Sequence, residues 1–69
     1  MNKIKLGSLC MTKVSKTFDS SEGTFVIKKG TFVTVCDVDN IASGFVLVEA
    51  EGFNTVFDFN IEELRVVEY

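Results

Sequence analysis

The 69-residue sequence has no proline, no histidine and no tryptophan, and it holds two cysteines and one tyrosine. Without proline it contains no polyproline linker and no collagen-like repeat. Without histidine it lacks the one side chain that ordinarily titrates near neutral pH, so His-based acid–base catalysis and His-ligated metal sites are excluded. Cys10 and Cys36 lie 26 positions apart, which rules out a CxxC framework. The longest apolar runs, such as Phe45-Val46-Leu47-Val48, stop at four residues, far short of the roughly 18 to 20 of a membrane span. Residues 1–7 carry Lys3 and Lys5 but no apolar stretch of signal-peptide length. These features lead us to expect a cytoplasmic protein whose two thiols are reduced and pack as small hydrophobes. A nucleophilic thiol needs a neighbour that lowers its pKa; Cys10 has only Lys13 nearby and Cys36 is followed by Asp37.

A composition of 46% hydrophobic and 25% charged residues belongs to a chain that folds. At this length we expect one domain over residues 1–69, with residues 1–7 a mobile N-terminal segment. Such a chain buries only about three-fifths of its unfolded surface, so its stability is thin. The net charge of −3 is unevenly distributed. Residues 1–30 hold six lysines against Asp19 and Glu22, net +4, whereas residues 31–69 hold Arg65 against eight acids, net −7. Two readings are open: interleaved strands blend the halves, or an acidic face meets a basic partner.

Most of the chain alternates with the period of a strand. Leu9 to Val14 is a first apolar segment, and Thr17 to Gly23 reads as a polar loop between aromatic residues. Phe25 and Ile27 share one face, and the chain turns at Lys28-Lys29-Gly30, where glycine supplies a positive φ. Thr31 to Cys36 is β-branched and strand-forming, and Asp37 to Gly44 is a second loop. Phe45–Ala50 and Phe53–Phe59 then form a hairpin around Glu51-Gly52. Asn60 to Leu64 reads as one helical turn, with Asn60 capping and Glu63 returning the bond. Arg65 to Glu68 is a last strand. This pattern indicates an all-β fold: a small, partly open, five-stranded antiparallel barrel with a short helical turn before the last strand. No window carries the apolar spacing of a helical bundle, and an oligonucleotide-binding barrel wants a helix where this chain has only Glu51-Gly52.

The order of elements from about residue 8 to 68 resembles the Src-homology-3-like barrel superfamily. Phe25-Val26-Ile27-Lys28-Lys29-Gly30-Thr31-Phe32-Val33-Thr34-Val35 is similar to that family's diverging turn, and the resemblance implies that Phe25, Ile27, Val33 and Val35 point into the core. It also implies that Val14 to Gly23 is the long first loop and Glu51-Gly52 the distal hairpin. Peptide-binding members carry an Ala-Leu-Tyr-Asp-Tyr motif, a tryptophan pair and a Pro-Ser-Asn-Tyr motif. This chain has Met11-Thr12-Lys13-Val14-Ser15, Gly44-Phe45 and Asp58-Phe59-Asn60-Ile61 in their places, so polyproline binding is not implied.

Seven phenylalanines exceed what so small a barrel can bury, since each ring covers about 150 to 250 Å². Phe25 is the expected core ring. Phe32 and Phe45 alternate against buried valines and are expected outward, Phe18 and Phe53 border loops, and Phe59 sits where the family's groove residues lie. Either these rings cover the open barrel ends, or they form an interface, including one between two copies of the chain. Asp37-Val38-Asp39-Asn40 has the alternation of a calcium loop, but Ile41 and Ala42 occupy positions where oxygen ligands and a glycine belong. Glu49, Glu51, Asp58, Glu62 and Glu63 read as surface carboxylates rather than catalytic pairs.

We therefore expect a noncatalytic protein-binding module without metal or cofactor. It would be an accessory or inhibitory protein of a phage or mobile element that docks on a host protein, or a homodimer. The candidate contact residues are Phe18, Phe32, Phe45, Phe53, Phe59, Asp58 and Glu62. The competing class is a nucleic-acid-associated barrel using Lys3, Lys5, Lys13, Lys16, Lys28 and Lys29.

Overall fold

A computed structural model describes residues 4–68. It is all-β: β1 (Leu9–Thr12), β2 (Lys16–Ser20), β3 (Gly23–Ile27), β4 (Phe32–Asp37), β5 (Phe45–Ala50), β6 (Val56–Asn60) and β7 (Leu64–Glu68), with single 3-10 turns at Ile41–Ser43 and Ile61–Glu63. Five strands form one antiparallel sheet in the order β6-β5-β4-β1-β7, and β2 and β3 form a separate two-stranded sheet. The large sheet does not close on itself; β6 and β7 are its edges.

Alternation decides the two faces of this sheet. Val33 and Val35 of β4, Val46, Val48 and Ala50 of β5, Phe57 and Phe59 of β6, Cys10 of β1 and Leu64 of β7 are all buried on the inner face, with Ile27 of β3 packed among them. The register matches this: Cys10 faces Val33, Val35 faces Val48, and Val46 faces Phe59. Gly30 has the expected positive φ of 89° and sits in a turn closed by the Thr31 N–H on the Lys28 carbonyl at 3.1 Å. The 3-10 turn before β7 also forms as expected, and the Asn60 N–H donates to Glu63 Oε1 at 2.9 Å.

Three expectations need correction. The polar stretch over 17–23 is not a loop: Lys16–Ser20 pairs with Gly23–Ile27 through a tight turn at Ser21-Glu22. Its outward positions Thr17, Asp19, Thr24 and Val26 face water, and on β2 only Phe18 is an apolar residue on the inner side, so too few apolar residues alternate there for the period to show. The β5–β6 hairpin is longer than expected, because Glu49 pairs with Val56 and residues 51–55 form the connection. This displaces the register by two residues, an even shift that leaves the alternation of faces along β6 unchanged. Phe25 is only half-buried, at the margin of the core, and the deeply buried rings are Phe57 and Phe59. Ahead of β1, Gly7 N–H donates to the Val35 carbonyl at 2.8 Å and Lys5 N–H to the buried Ser8 Oγ at 3.0 Å, while residues 1–3 of the expected mobile segment 1–7 lie outside the described residues. No helix of the described chain is long and apolar enough to cross a membrane.

Candidate functional site

Six of the seven candidate residues separate into two places, and Glu62 lies apart from both. The first is a ring cluster beneath the β2–β3 hairpin. Phe18 meets Phe57 at 4.8 Å between centroids and Phe59 at 5.6 Å, while Phe25 and Phe53 stand edge-on to Phe57 at 6.0 and 5.4 Å. These edge-to-face contacts let the negative face of one ring meet the positive edge of the next. Phe59 was expected outward and is instead 0% exposed, because its register partner Val46 fixes it on the inner face. Phe18, Phe25 and Phe53 are half-buried.

Between the hairpin tip and residues 55–57 runs a cleft of about 350 Å³ lined by Phe18, Phe25, Phe57, Asp19, Glu22 and Thr55. A second hollow of about 300 Å³ continues it past Phe25 to Phe53 and Asn54. Glu22 lines both, and neither it nor Asp19 forms an ion pair among the described residues. Asp19 Oδ1 accepts a bond from Thr24 Oγ1 at 3.0 Å across the hairpin, which holds its carboxylate at the rim.

Lys16 keeps the hairpin in place. Its Nζ donates to the Asp58 carbonyl at 3.2 Å and to Glu63 Oε1 at 3.1 Å, and lies 4.9 Å from the centroid of Phe59 and 5.4 Å from that of Phe18. Burial alone would raise the Glu63 carboxyl; the Asn60 N–H and the Lys16 ammonium outweigh it and hold it below its ordinary value. Lys16 is thereby committed within the molecule, which removes one of the lysines considered for nucleic acid.

The second place is the outer face of the large sheet. Phe32 is 52% exposed there, as its alternation with Val33 requires, and Met11 of β1 lies directly opposite it. Leu9, Met11, Phe45 and Leu47 are half-buried yet stand outside the core cluster. Asp58 is exposed opposite Leu47, and Glu62 is exposed on the 3-10 turn, apart from both places. Phe32 and Phe53 border a hollow of about 400 Å³ that also meets Leu9, Thr34, Glu49 and Glu51.

Neither thiol is poised for chemistry. Burial raises Cys10, and burial followed by the charges of Glu49 and Asp37 raises Cys36. Both are unpaired, and Cys36 Sγ lies 3.5 Å from the Leu47 carbonyl. In the calcium-like stretch Asp37 Oδ1 accepts the Asp39 N–H at 2.8 Å, a turn-forming bond. Sequence reasoning missed Thr12, Lys16 and Phe57. The alternation of Phe57 with Asp58 and Phe59 was a usable signal for the ring, whereas nothing local marks Lys16 as the partner of a residue 47 positions away. No family model matches the chain, and neither do any of the curated proteins or solved structures with which it was compared.

Proposed function

We propose that this protein is a noncatalytic protein-binding module that takes a basic segment of a partner into the groove between the β2–β3 hairpin tip and residues 52–57. The observation that carries this reading is the joining of three half-exposed rings, Phe18, Phe25 and Phe53, to two carboxylates, Asp19 and Glu22, that have no cation of their own. Aromatic faces and free carboxylates together favour Lys or Arg, which can lay an apolar stem or a cationic plane on a ring while the charge is met at the rim. The strand order supports an Src-homology-3-like barrel: leaving aside the β2–β3 excursion, four strands follow one another as antiparallel neighbours and the fifth, β7, returns beside the first, and the excursion falls where that family has its long first loop. An accessory or inhibitory protein of a phage or mobile element that docks on a host protein suits a chain of this size.

The test is affinity capture from the source cell by the immobilised wild type and by Asp19→Lys/Glu22→Lys, with quantitative mass spectrometry. A partner recovered by the wild type should be lost with the variant, and its association rate should fall as salt is raised. Identical recovery by both proteins would remove the groove from consideration.

A further inference from the structure

Resting on the proposed reading of the groove, we infer that the partner segment enters it as an added β-strand, paired with the open edge of β6 over residues 56–58. Three hydrogen bonds fix the direction of the backbone groups in and just after β6. The Ile61 N–H donates to the Gly44 carbonyl at 2.9 Å, on the β5 side. The Asn60 N–H donates instead to Glu63 Oε1 at 2.9 Å, and the Asp58 carbonyl accepts Lys16 Nζ at 3.2 Å, both away from β5. Backbone groups along a strand alternate between its two sides, so Val56 shares the direction of Asp58 and Asn60. The Val56 N–H and carbonyl and the Asp58 N–H therefore point out from the sheet edge, and none of the three has a partner among the described residues.

Free edges are normally blunted, and the two edges of the large sheet differ in this. β7 is bulged: Leu9 pairs with Glu68 and Cys10 with Val66, which leaves Val67 over. β6 pairs with β5 without interruption. Lys16 and Glu63 occupy its edge at residues 58 and 60, and the stretch before them borders the cleft of about 350 Å³ beside Phe18 and Phe25. A strand added there lies between the β6 edge and the hairpin.

Such a strand turns alternate side chains to opposite faces, and the carboxylates on each face define what it carries. Phe57 is buried on the inner face, so the residue beside it enters among Phe18 and Phe25, with Asp19 and Glu22 at the rim. Asp58 is exposed on the other face and, like those two, forms no ion pair among the described residues. Adjacent Lys or Arg residues beside positions 57 and 58 would each meet a carboxylate, and the residue beside the 44% exposed Val56 would be apolar. The occupant is an extended protein segment in which two successive basic residues are flanked by β-branched ones.

The probe is the peptide acetyl-Thr-Val-Arg-Lys-Val-Thr-amide, whose order suits either strand direction, titrated up to about 1 mM into the isotope-labelled full chain. In the free protein the Val56 and Asp58 amides should exchange readily with solvent. At saturation they should exchange at least about tenfold more slowly, whereas the Phe57 and Phe59 amides, already turned to β5, should change little. Val56→Pro deletes an N–H that bonds nothing in the free protein, at the first residue of an edge strand, where proline is tolerated; it should weaken the peptide about tenfold. The exchange measurement uses the wild type and decides the matter even where the variant fails to fold. Binding that leaves the Val56 and Asp58 amides unprotected, or full affinity in Val56→Pro, overturns the added strand and leaves the groove reading standing. Absence of binding at about 1 mM also overturns the strand, with the groove still judged by capture. Identical capture by the wild type and Asp19→Lys/Glu22→Lys removes the groove and the strand together.

Discussion

At the scale of single residues the most consequential side chain is Thr12, a buried hydroxyl in a position where the sequence suggested only an apolar strand. Its Oγ1 donates to the Lys28 carbonyl at 2.9 Å and accepts the Thr31 N–H at 3.1 Å, while its backbone carbonyl accepts the Gly30 N–H at 2.9 Å. One residue of β1 thus clamps both sides of the turn between β3 and β4. Thr12→Val keeps the shape but removes the hydroxyl, and urea unfolding should show a loss of about 1 to 2 kcal/mol; Thr12→Ser should lose less. Gly30 in the same turn has open space where a side chain would point, so its cost of substitution is in the backbone alone. Gly30→Val should lower stability by about 2 kcal/mol through the positive φ. Thr31→Val, which forfeits the 2.6 Å bond from Thr31 Oγ1 to the Lys28 carbonyl, should lower it by about 1 kcal/mol. Equal melting temperatures for the last two variants would contradict the turn assignment.

At the scale of elements the β2–β3 hairpin stands apart, since it pairs only with itself and rests on the sheet through Phe18, Phe25, Ile27 and the Lys16 clamp. Its amides over 17–26 should exchange faster with solvent deuterium than those of β4 and β5. The clamp is also sensitive to acid. The Glu63 carboxyl is held below its ordinary value of 4.5 in the folded state, so its contribution is complete above that value and is lost as pH falls through the lower folded one. The pair is partly exposed, so Glu63→Gln should cost only about 0.5 to 1 kcal/mol at neutral pH. In urea titrations at decreasing pH, the gap between wild type and variant should close once Glu63 of the wild type is protonated in both the folded and the unfolded state. The same element shows where legibility ended. Strands β4 and β5 could be read from their β-branched alternation, and the capped turn at Asn60 from its Asn and Glu spacing. Strand β3 could be read from Phe25 and Ile27, but β2, and with it the hairpin, could not, because β2 turns only one apolar residue inward, Phe18, and leaves its other side to water. Nor could the ring cluster be assembled in advance, since Phe18 and Phe57 come together only after register and hairpin docking are decided. Of the groove, only the loop-bordering rings Phe18 and Phe53 were legible as candidates; Asp19 and Glu22 entered only as charges of the first half.

At the scale of the whole molecule, Lys16 is spent internally, and Lys28 and Lys29 lie on a turn next to Gly30. Against a net charge of −3, we expect no gel shift with single- or double-stranded DNA or RNA at physiological salt. A micromolar shift abolished by Lys28→Glu/Lys29→Glu would revive the nucleic-acid reading. The position of β1 has a further consequence for how the chain is made. This early strand is flanked by β4 and β7, so one of its two sides finds a partner only when Leu64–Glu68 exists. At about 5 to 20 residues per second, a ribosome needs several seconds to travel from Thr12 to Leu64. Throughout that interval the side of β1 destined for β7 is an open template, and Leu64 is missing from the core. The fold is therefore completed only once β7 has been made. A ribosome stalled before residue 64 should display a nascent chain that proteases cut readily, and one stalled far enough downstream to free β7 should display a resistant one.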